Sequence, residues 1–151
     1  MRNVDTRMYV SMLRELVREG KEVSMLITGS SMSPFLLSHK DTICFKAPWR
    51  PLRRGDMVFY ERESGQFVMH RIYKLRKEGL YIVGDAQREI EGPVNPSQIF
   101  AVVTKARRRG KWVEPGNFWW EFFAHVWLWV IPLRPLIMKT YSACFNIMKT
   151  K

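Results

Sequence analysis

The stretch QFVMHRIYKL, residues 66–75, decides the fold of this chain. Neighbouring side chains in such a run point to opposite faces, which is the period of a β-strand and not of a helix. One face carries Phe67, Met69, Arg71 and Tyr73, and the other carries Val68, His70, Ile72 and Lys74. A long strand with two distinct faces needs partner strands, and the surrounding sequence supplies candidates.

Short runs rich in β-branched and aromatic residues occur on both sides of this strand. They are EVSMLI (22–27), TICFKA (42–47), DMVFYER (56–62), LYIVGD (80–85) and IFAVVTKARR (99–108). Gly, Pro, Asp and Ser separate them, and ESGQ (63–66) is typical of a hairpin turn. Helical patterns do not alternate with the runs, which argues against parallel βαβ units. The sequence therefore predicts a mainly β, antiparallel unit from Val23 to Val113.

The N-terminal segment has a different pattern from the predicted strands. Residues 4–19 bring together Val4, Met8, Met12, Leu16 and Val17 on one side of a helix that ends near Gly20. We therefore divide the chain into an N-terminal helix (1–22), a β domain (23–115) and a C-terminal tail (116–151).

The tail is rich in tryptophan and in basic residues. NFWWEFFAHVWLWVI (117–131) is apolar around most of a helix, with Glu121 and His125 as its polar stripe, and Pro132 and Pro135 break the run. Its apolar length is short for a perpendicular membrane span. Residues 136–149 form an amphipathic pattern, with Lys139, Ser142, Asn146 and Lys149 opposite Ile137, Tyr141, Cys144 and Met148. We expect a membrane-surface tail; the alternative is that both helices pack on the β unit or in a dimer.

The charge of the chain indicates an anionic partner. The 151 residues carry a formal net charge of +11, and residues 105–151 hold nine Lys or Arg against two Glu. Clustered Trp with basic residues favours an anionic membrane surface over nucleic acid. The N-terminus has no apolar core of a signal peptide and no predicted transmembrane helix. Cys44 and Cys144 are far apart in sequence, so we expect neither a disulfide nor metal binding by Cys, and no cofactor.

A serine-rich turn, TGSSMSPFL (28–36), lies after the first predicted strand. Gly29 permits the chain to turn, and Pro34 stiffens the residues next to it. By itself such a segment is a turn, because a serine needs a base before it becomes a nucleophile. His39 lies in a polar loop and His125 in the Trp-rich helix. His70, in a strand among apolar residues, is either a buried structural residue or a base.

Five blocks in order make the second interpretation of His70 more specific. They are GSSMSPFL (29–36), RRGDMVFYE (53–61), FVMHRIYKL (67–75), LYIVGDAQ (80–87) and PVNPSQIFAVV (93–103). This series resembles the type I signal peptidase and SOS-repressor superfamily of serine proteases, over about Val23 to Val103. In that superfamily the Ser before Met is the nucleophile, which here is Ser31. His70, 39 residues later and followed by Arg71, resembles the Ser–His branch of endoplasmic-reticulum-type and archaeal signal peptidases.

The resemblance implies acyl transfer to Ser31, with His70 as base and backbone N–H groups holding the oxyanion. Some members add a hydroxyl two residues before the nucleophile; here that position is Gly29, which leaves Ser30 as the candidate helper. Met32 and Pro34 are expected to line the entry to a peptide groove. The acid that orients His70 stays open between Asp85, in the block matching GDN, and Glu91, six residues later.

The implied function is cleavage of a signal or leader peptide by a membrane-associated serine endopeptidase, held at the surface through its tail. Several alternatives remain at this stage. Lys74, on the predicted face of His70, is a rival base, and Asp56 is more simply interpreted as a turn residue. A self-cleaving repressor needs a DNA reader for which one predicted helix is too little. A non-catalytic basic module would use KARRRGK (105–111), which also suits a solvated hairpin.

Overall fold

The computed structural model describes the backbone of residues 2–149 and the side chains of residues 8–144. Eight strands form one sheet with the order β1-β2-β7-β3-β4-β5-β6, and β8 pairs with β7 outside this path. The strands are β1 Val23–Leu26, β2 Thr42–Lys46, β3 Met57–Glu61, β4 Phe67–Arg76, β5 Gly79–Val83, β6 Glu91–Val94, β7 Ile99–Arg108 and β8 Lys111–Val113. All of these pairings are antiparallel. The predicted mainly β, antiparallel class, with an N-terminal helix and C-terminal helices, is confirmed.

Two local predictions about the sheet are also confirmed. The segment 63–66 joins β3 to β4 as a hairpin, in which the N–H of Arg62 donates to the carbonyl of Gln66 at 2.8 Å. The basic run 105–111 forms the end of β7 and the turn into β8, so it is a hairpin.

The alternation predicted for β4 holds only as far as Ile72. Ile72 pairs with Ile82, but Lys74 pairs with Tyr81, so Tyr73 is an extra residue in a β-bulge. Because a shift of one residue exchanges the faces of a strand, Lys74 lies opposite to Ile72 and His70, and it is exposed. The prediction that Lys74 shares the face of His70 is therefore wrong.

The main hydrophobic core crosses both predicted domain boundaries. One cluster joins Leu13 and Val17 of the N-terminal helix, Phe35 of the serine-rich turn, and Trp120 and Trp127 of the C-terminal segment. A second cluster lies on the other face of β3 and β4 and includes residues such as Val58, Tyr60, Ile72 and Ile82. The segments 1–22, 23–115 and 116–151 are thus held by a shared core.

The N-terminal helix, α1 Arg2–Arg18, packs with a face that agrees with the predicted one only in part. Val17 is buried and Leu16 packs against the core as predicted, but Val10 and Leu13 are buried in place of Met8 and Met12, which are exposed. The guanidinium of Arg14 pairs with Glu61 and lies over the ring of Phe67. The other predicted face residue, Val4, lies outside the described side chains.

The C-terminal segment folds into two helical arms. The first comprises α2 Phe118–Glu121, a π-helical turn Phe122–Val126 and α3 Trp127–Trp129; a 3-10 turn Ile131–Leu133 leads to the second, α4 Arg134–Lys149. Trp120, Phe123 and Trp127 of the first arm are buried. The predicted polar pair is present, since Glu121 and His125 lie 3.0 Å apart. The inward face therefore packs on the sheet, as the alternative interpretation proposed.

The described residues contain no single helix with the length and apolar character needed to cross a membrane. Together, Phe118–Trp129 and Ile131–Cys144 reach that length and composition, but an angle of 88° separates them. Of the predicted face residues of α4, Lys139, Ser142 and Ile137 are exposed, whereas Asn146, Met148 and Lys149 fall outside the described side chains.

Candidate active site

The serine-rich turn is anchored by its apolar side chains. Gly29 has a φ of +83°, a conformation that glycine adopts without strain, and the chain reverses there. Beyond it, Met32, Phe35 and Leu36 are buried in the main core. Ser31, between the exposed Ser30 and the buried Met32, is half-buried at the margin of the core.

Burial changes the predicted role of one residue of this turn. Met32 is only 2% exposed, so it anchors the turn and does not line an open groove. Pro34 is half-buried and keeps some surface. The sequence shows that Met32 is apolar but not whether its side chain points inward or outward, because side chains in a turn do not alternate with a fixed period.

The turn is docked onto the end of β5. The N–H of Ala86 donates to the carbonyl of Ser31 at 2.8 Å. Gly84 makes this approach sterically feasible, because a Cβ on it would lie 2.6 Å from the same carbonyl oxygen. The backbone of Ser31 therefore occupies the space that a side chain at position 84 would fill.

His70 lies on β4 next to this contact. The pairs Arg71 with Val83 and Ile72 with Ile82 define a register that, one step further, sets His70 opposite Gly84. Since residues opposite each other in a sheet point to the same face, His70 and the missing Cβ of Gly84 share a side. The register thus brings the Ser31 turn and the His70 strand together, although no hydrogen bond joins the two residues within the described side chains.

The imidazole of His70 is buried, with 4% of the residue exposed. Among the described side chains, its Nδ1 is buried without a hydrogen-bond partner. The ring packs edge-on to Tyr60, with 6.4 Å between the centroids. Burial, followed by the positive charge of Arg62, lowers the pKa of His70 to about 4. His70 is therefore neutral at pH 7.

Asp85 is paired with Arg71 and not with His70. Two bonds of 2.8 Å join the guanidinium to the carboxylate, and both side chains are 0% exposed. Arg71 also donates to the carbonyl of Gly55 at 2.9 Å. Removing one partner of such a buried pair typically costs about 3–5 kcal/mol, because the other charge is stranded. The pair ties β4, beside His70, to the segment that receives Ser31.

Glu91 has different partners. It accepts from the hydroxyl of Tyr60 at 2.5 Å and from the guanidinium of Arg62 at 2.8 Å. Burial raises the pKa of Glu91, but the bonds from Arg62 and Tyr60 outweigh it and leave the pKa lowered. In the described residues, neither Glu91 nor Asp85 is hydrogen-bonded to His70. Both carboxylates act on His70 only through their charge, which raises its pKa against the larger effect of burial.

Two C-terminal residues hold the 84–87 segment, and neither was predicted from the sequence. Arg134 is buried and donates to the carbonyls of Gly84 at 2.9 Å and Gln87 at 2.8 Å. The indole of Trp127 donates to the carbonyl of Asp85 at 2.7 Å. The only local signal was an arginine between two prolines in an apolar run, which does not reveal a partner 50 residues away. The C-terminal arms therefore stabilise the segment that receives Ser31.

Asp56 has the turn-stabilising role that the sequence favoured. Its carboxylate accepts from the N–H of Arg53 at 2.8 Å and forms two bonds of 2.9 Å with Arg50. These three hydrogen bonds hold the turn before β3 and give the Asp56 carboxylate a structural role.

A cleft of about 920 Å³ adjoins the candidate site. Its lining includes Arg62, Gln87, Arg88, Glu91, Arg134 and Met138. Ser31 and His70 are not among the described residues that line it, although Ala86, which binds Ser31, is. The cleft therefore runs along the far side of the 84–91 segment and does not open directly on the serine.

Across the described residues, no group of His, Cys, Asp and Glu has the arrangement of a metal site. Cys44 is a buried free thiol and Cys144 an exposed one.

Comparisons with family models, with curated proteins and with solved structures each returned no match.

Proposed function

We propose that the protein is a serine endopeptidase in which Ser31 attacks a peptide carbonyl and His70 is the general base. The observation that carries the proposal is the docking of the Ser31 turn at the end of β5. The Ala86 N–H binds the Ser31 carbonyl at 2.8 Å, and Gly84, in register with His70, leaves room for it. The backbone of the Ser31 turn therefore contacts the end of β5 next to the strand that carries His70, although the two residues are 39 positions apart in sequence.

The protonation state of His70 supports the role of base. A general base must be unprotonated before the reaction, and a pKa of about 4 keeps the imidazole neutral over the physiological range. The buried Nδ1 has no partner among the described side chains. A neutral imidazole has one nitrogen with a free lone pair, which can accept the serine proton.

The proposed reaction is acyl transfer. The Ser31 hydroxyl proton passes to His70 as Oγ bonds to the carbonyl carbon, and the resulting oxyanion is held by backbone N–H groups of the turn, with Ser30 as the candidate additional donor. The C–N bond then breaks, and the proton moves from the imidazolium to the leaving amine. Water hydrolyses the Ser31 ester by the same proton path in reverse. The substrate class that the resemblance implies is a signal or leader peptide with small side chains on the acyl side.

We propose a Ser–His pair and not a hydrogen-bonded triad, because the carboxylates of Asp85 and Glu91 are bonded to other residues than His70. The charges of Glu91 and Asp85 act through space in favour of the imidazolium formed during the reaction, against the larger opposing effects of burial and of Arg62. Asp85 acts as a positioning residue through Arg71, since its carboxylate is occupied by that guanidinium.

The experiment uses a biotinylated fluorophosphonate, which forms a covalent bond to an activated serine, followed by peptide mass spectrometry. We expect labelling at Ser31, none in Ser31→Ala, and a rate lower by about a hundredfold or more in His70→Gln. Synthetic peptides with small residues at the scissile bond, followed by mass spectrometry, should show the same ranking of variants.

Two matched controls make this experiment specific. Ser30→Ala removes the candidate oxyanion donor next to the nucleophile, so it should slow labelling but leave the label on Ser31. Lys74→Gln removes the rival base, which lies on the opposite face, and should leave the rate unchanged. Labelling or cleavage by Ser31→Ala or His70→Gln at the wild-type rate would contradict the proposal.

A further inference from the structure

The first C-terminal arm has two faces with different functions in the fold. Its inward residues pack in the core and hold the 84–87 segment. Its outward residues recur at helical spacing and include large apolar side chains with high exposure. We call three of them, with one residue of the connecting turn and one of α4, the aromatic face: Phe118 (71% exposed), Val126 (49%) and Trp129 (76%) of the arm, Leu133 (54%) of the turn and Leu136 (65%) of α4.

Part of the aromatic face is contiguous. Phe118 lies 5.1 Å from Trp119 and 6.3 Å from the half-buried Phe122 between ring centroids, so these three rings form one apolar group. Contiguous apolar surface of this kind marks an interaction site. The second arm, at 88° to the first, extends the apolar surface in another direction.

The charges around the aromatic face identify the chemistry of the partner. Among the side chains described from 122 to 144, Lys139 is an exposed cation, Arg134 is buried, and Asp and Glu are absent; Glu121 of α2 pairs with His125 at 3.0 Å. Lys139 is exposed three residues after Leu136, on the same side of the helix. The guanidinium of Arg54 lies 5.4 Å from the centre of the Trp129 ring. Cations and an exposed Trp side by side are complementary to negative headgroups above an apolar layer.

We propose that the aromatic face docks the protein onto an anionic phospholipid surface. Trp129 and Phe118 enter the boundary between headgroups and acyl chains, and Arg54 and Lys139 contact the headgroup phosphates. A second copy of this chain fits less well, because Glu121, the carboxylate of the first arm, is already paired with His125 and leaves Arg54 and Lys139 without an acidic group of that arm to meet across a symmetric interface. The inference rests on surface and charge, and it does not depend on the proposed peptide hydrolysis.

The test is co-sedimentation of the full chain with phosphatidylcholine vesicles that either contain or lack phosphatidylserine. We expect binding to the anionic vesicles that weakens at high salt. Trp129→Ser and Phe118→Ser should each reduce the bound fraction strongly, and Lys139→Gln should weaken the partition constant by about fivefold. Because all three side chains are exposed, these variants should fold as the wild type does.

Trp49→Ser is the matched control. Trp49 is also about half exposed and lies close to two cations, Lys46 at 4.5 Å and Arg50 at 5.1 Å from the ring centre, but it belongs to the β unit. Its loss should leave vesicle binding unchanged. Absence of binding by the wild type, equal binding to neutral vesicles, or wild-type binding by Trp129→Ser would overturn the proposal. A dimer in analytical ultracentrifugation that Trp129→Ser dissociates, without vesicle binding, would assign the face to a second copy.

Discussion

His70 combines a titratable ring with almost complete burial. Water is excluded from the imidazole, so the charged form loses its solvation, and the nearby positive charge of Arg62 disfavours it further. The charges of Glu91 and Asp85 act in the opposite direction but do not outweigh burial. A neutral imidazole at this position suits a base, and it also makes the stability of the fold depend on pH.

The free energy of unfolding should fall as the pH drops below the ordinary pKa of His. The folded-state pKa of His70 is about 4, whereas the unfolded chain titrates at 6.5, so only the unfolded state gains a proton between these values. The contribution of His70 is therefore complete above pH 6.5, is lost progressively below it, and reaches its limit near pH 4. Between about pH 7 and pH 5 the loss should be about 2 kcal/mol.

Urea unfolding of the wild type and of His70→Gln at both pH values measures this effect. The variant cannot take up the proton, so its stability should change less with pH by the same amount. An equal slope in the two proteins would show that His70 titrates normally in the folded state.

At the level of elements, the segment directly after β5 receives contacts from three parts of the chain. The Ser31 turn binds Ala86, Arg71 of β4 binds Asp85, and Arg134 with Trp127 binds the backbone from Gly84 to Gln87. The position of Ser31 relative to β4 therefore depends on a short segment that contains no regular structure. The Ser31 turn can contact this segment only because Gly84 has no side chain at the point of contact.

Gly84→Ala should separate the turn from the strand. The new Cβ would lie 2.6 Å from the Ser31 carbonyl oxygen and 2.8 Å from Oε1 of Gln87, so the turn must move. Because a displacement of about 1 Å at a reacting group can cost a hundredfold in rate, we expect fluorophosphonate labelling of Ser31 to fall by about that factor. Circular dichroism should show that the sheet is retained.

Gly110→Ala, in the turn between β7 and β8, provides the comparison. Unlike Gly84, Gly110 has a positive φ, +79°, and a Cβ there would have no atom within 4 Å. It should lower stability through backbone strain and leave labelling of Ser31 intact. Labelling of Gly84→Ala at the wild-type rate would show that docking onto β5 does not position the serine.

On the scale of the whole molecule, one hydrophobic core joins the N-terminal helix, the sheet and the first C-terminal arm. Trp127 and Trp129 show the division within that arm, because they are two residues apart and have opposite environments. Trp127 is 4% exposed, bonds the carbonyl of Asp85 and lies beneath the guanidinium of Arg134. Trp129 is 76% exposed. The same short helix therefore buries one tryptophan, which stabilises the fold, and leaves the other exposed on the surface.

These two positions should differ sharply in their contribution to stability. Trp127→Ala should reduce the free energy of unfolding by about 3–5 kcal/mol, because it leaves a cavity in the core. Trp129→Ala should change it by no more than about 0.5 kcal/mol, because little is packed around that ring. Urea unfolding followed by far-ultraviolet circular dichroism measures both, and equal losses would contradict the assignment of inward and outward faces.

Local patterns in the sequence determined the class of the fold. The alternation in residues 66–75, the short β-branched runs and the glycine and proline punctuation are properties of neighbouring residues, and they predicted the antiparallel sheet and the hairpin at residues 63–66. The resemblance of the block order to a protease superfamily, and not these local patterns, indicated Ser31 and His70 as the pair to examine. The helix face of α1 was predicted correctly at Leu16 and Val17 and wrongly at Met8 and Met12, because several apolar residues competed and the packing of the helix on the sheet selected between them.

The tertiary structure alone decided which charges meet around the candidate site. Arg71 with Asp85, Glu91 with Tyr60, and Arg134 with Gly84 join positions 14, 31 and 50 residues apart. The bulge at Tyr73 turned Lys74 away from His70, although the alternation predicted that both share one face. A period in sequence reports the local geometry of the backbone. Long-range pairs and strand register instead depend on how the elements pack. A buried charge without a partner is costly, so the fold must bring an opposite charge to it from a distant part of the chain.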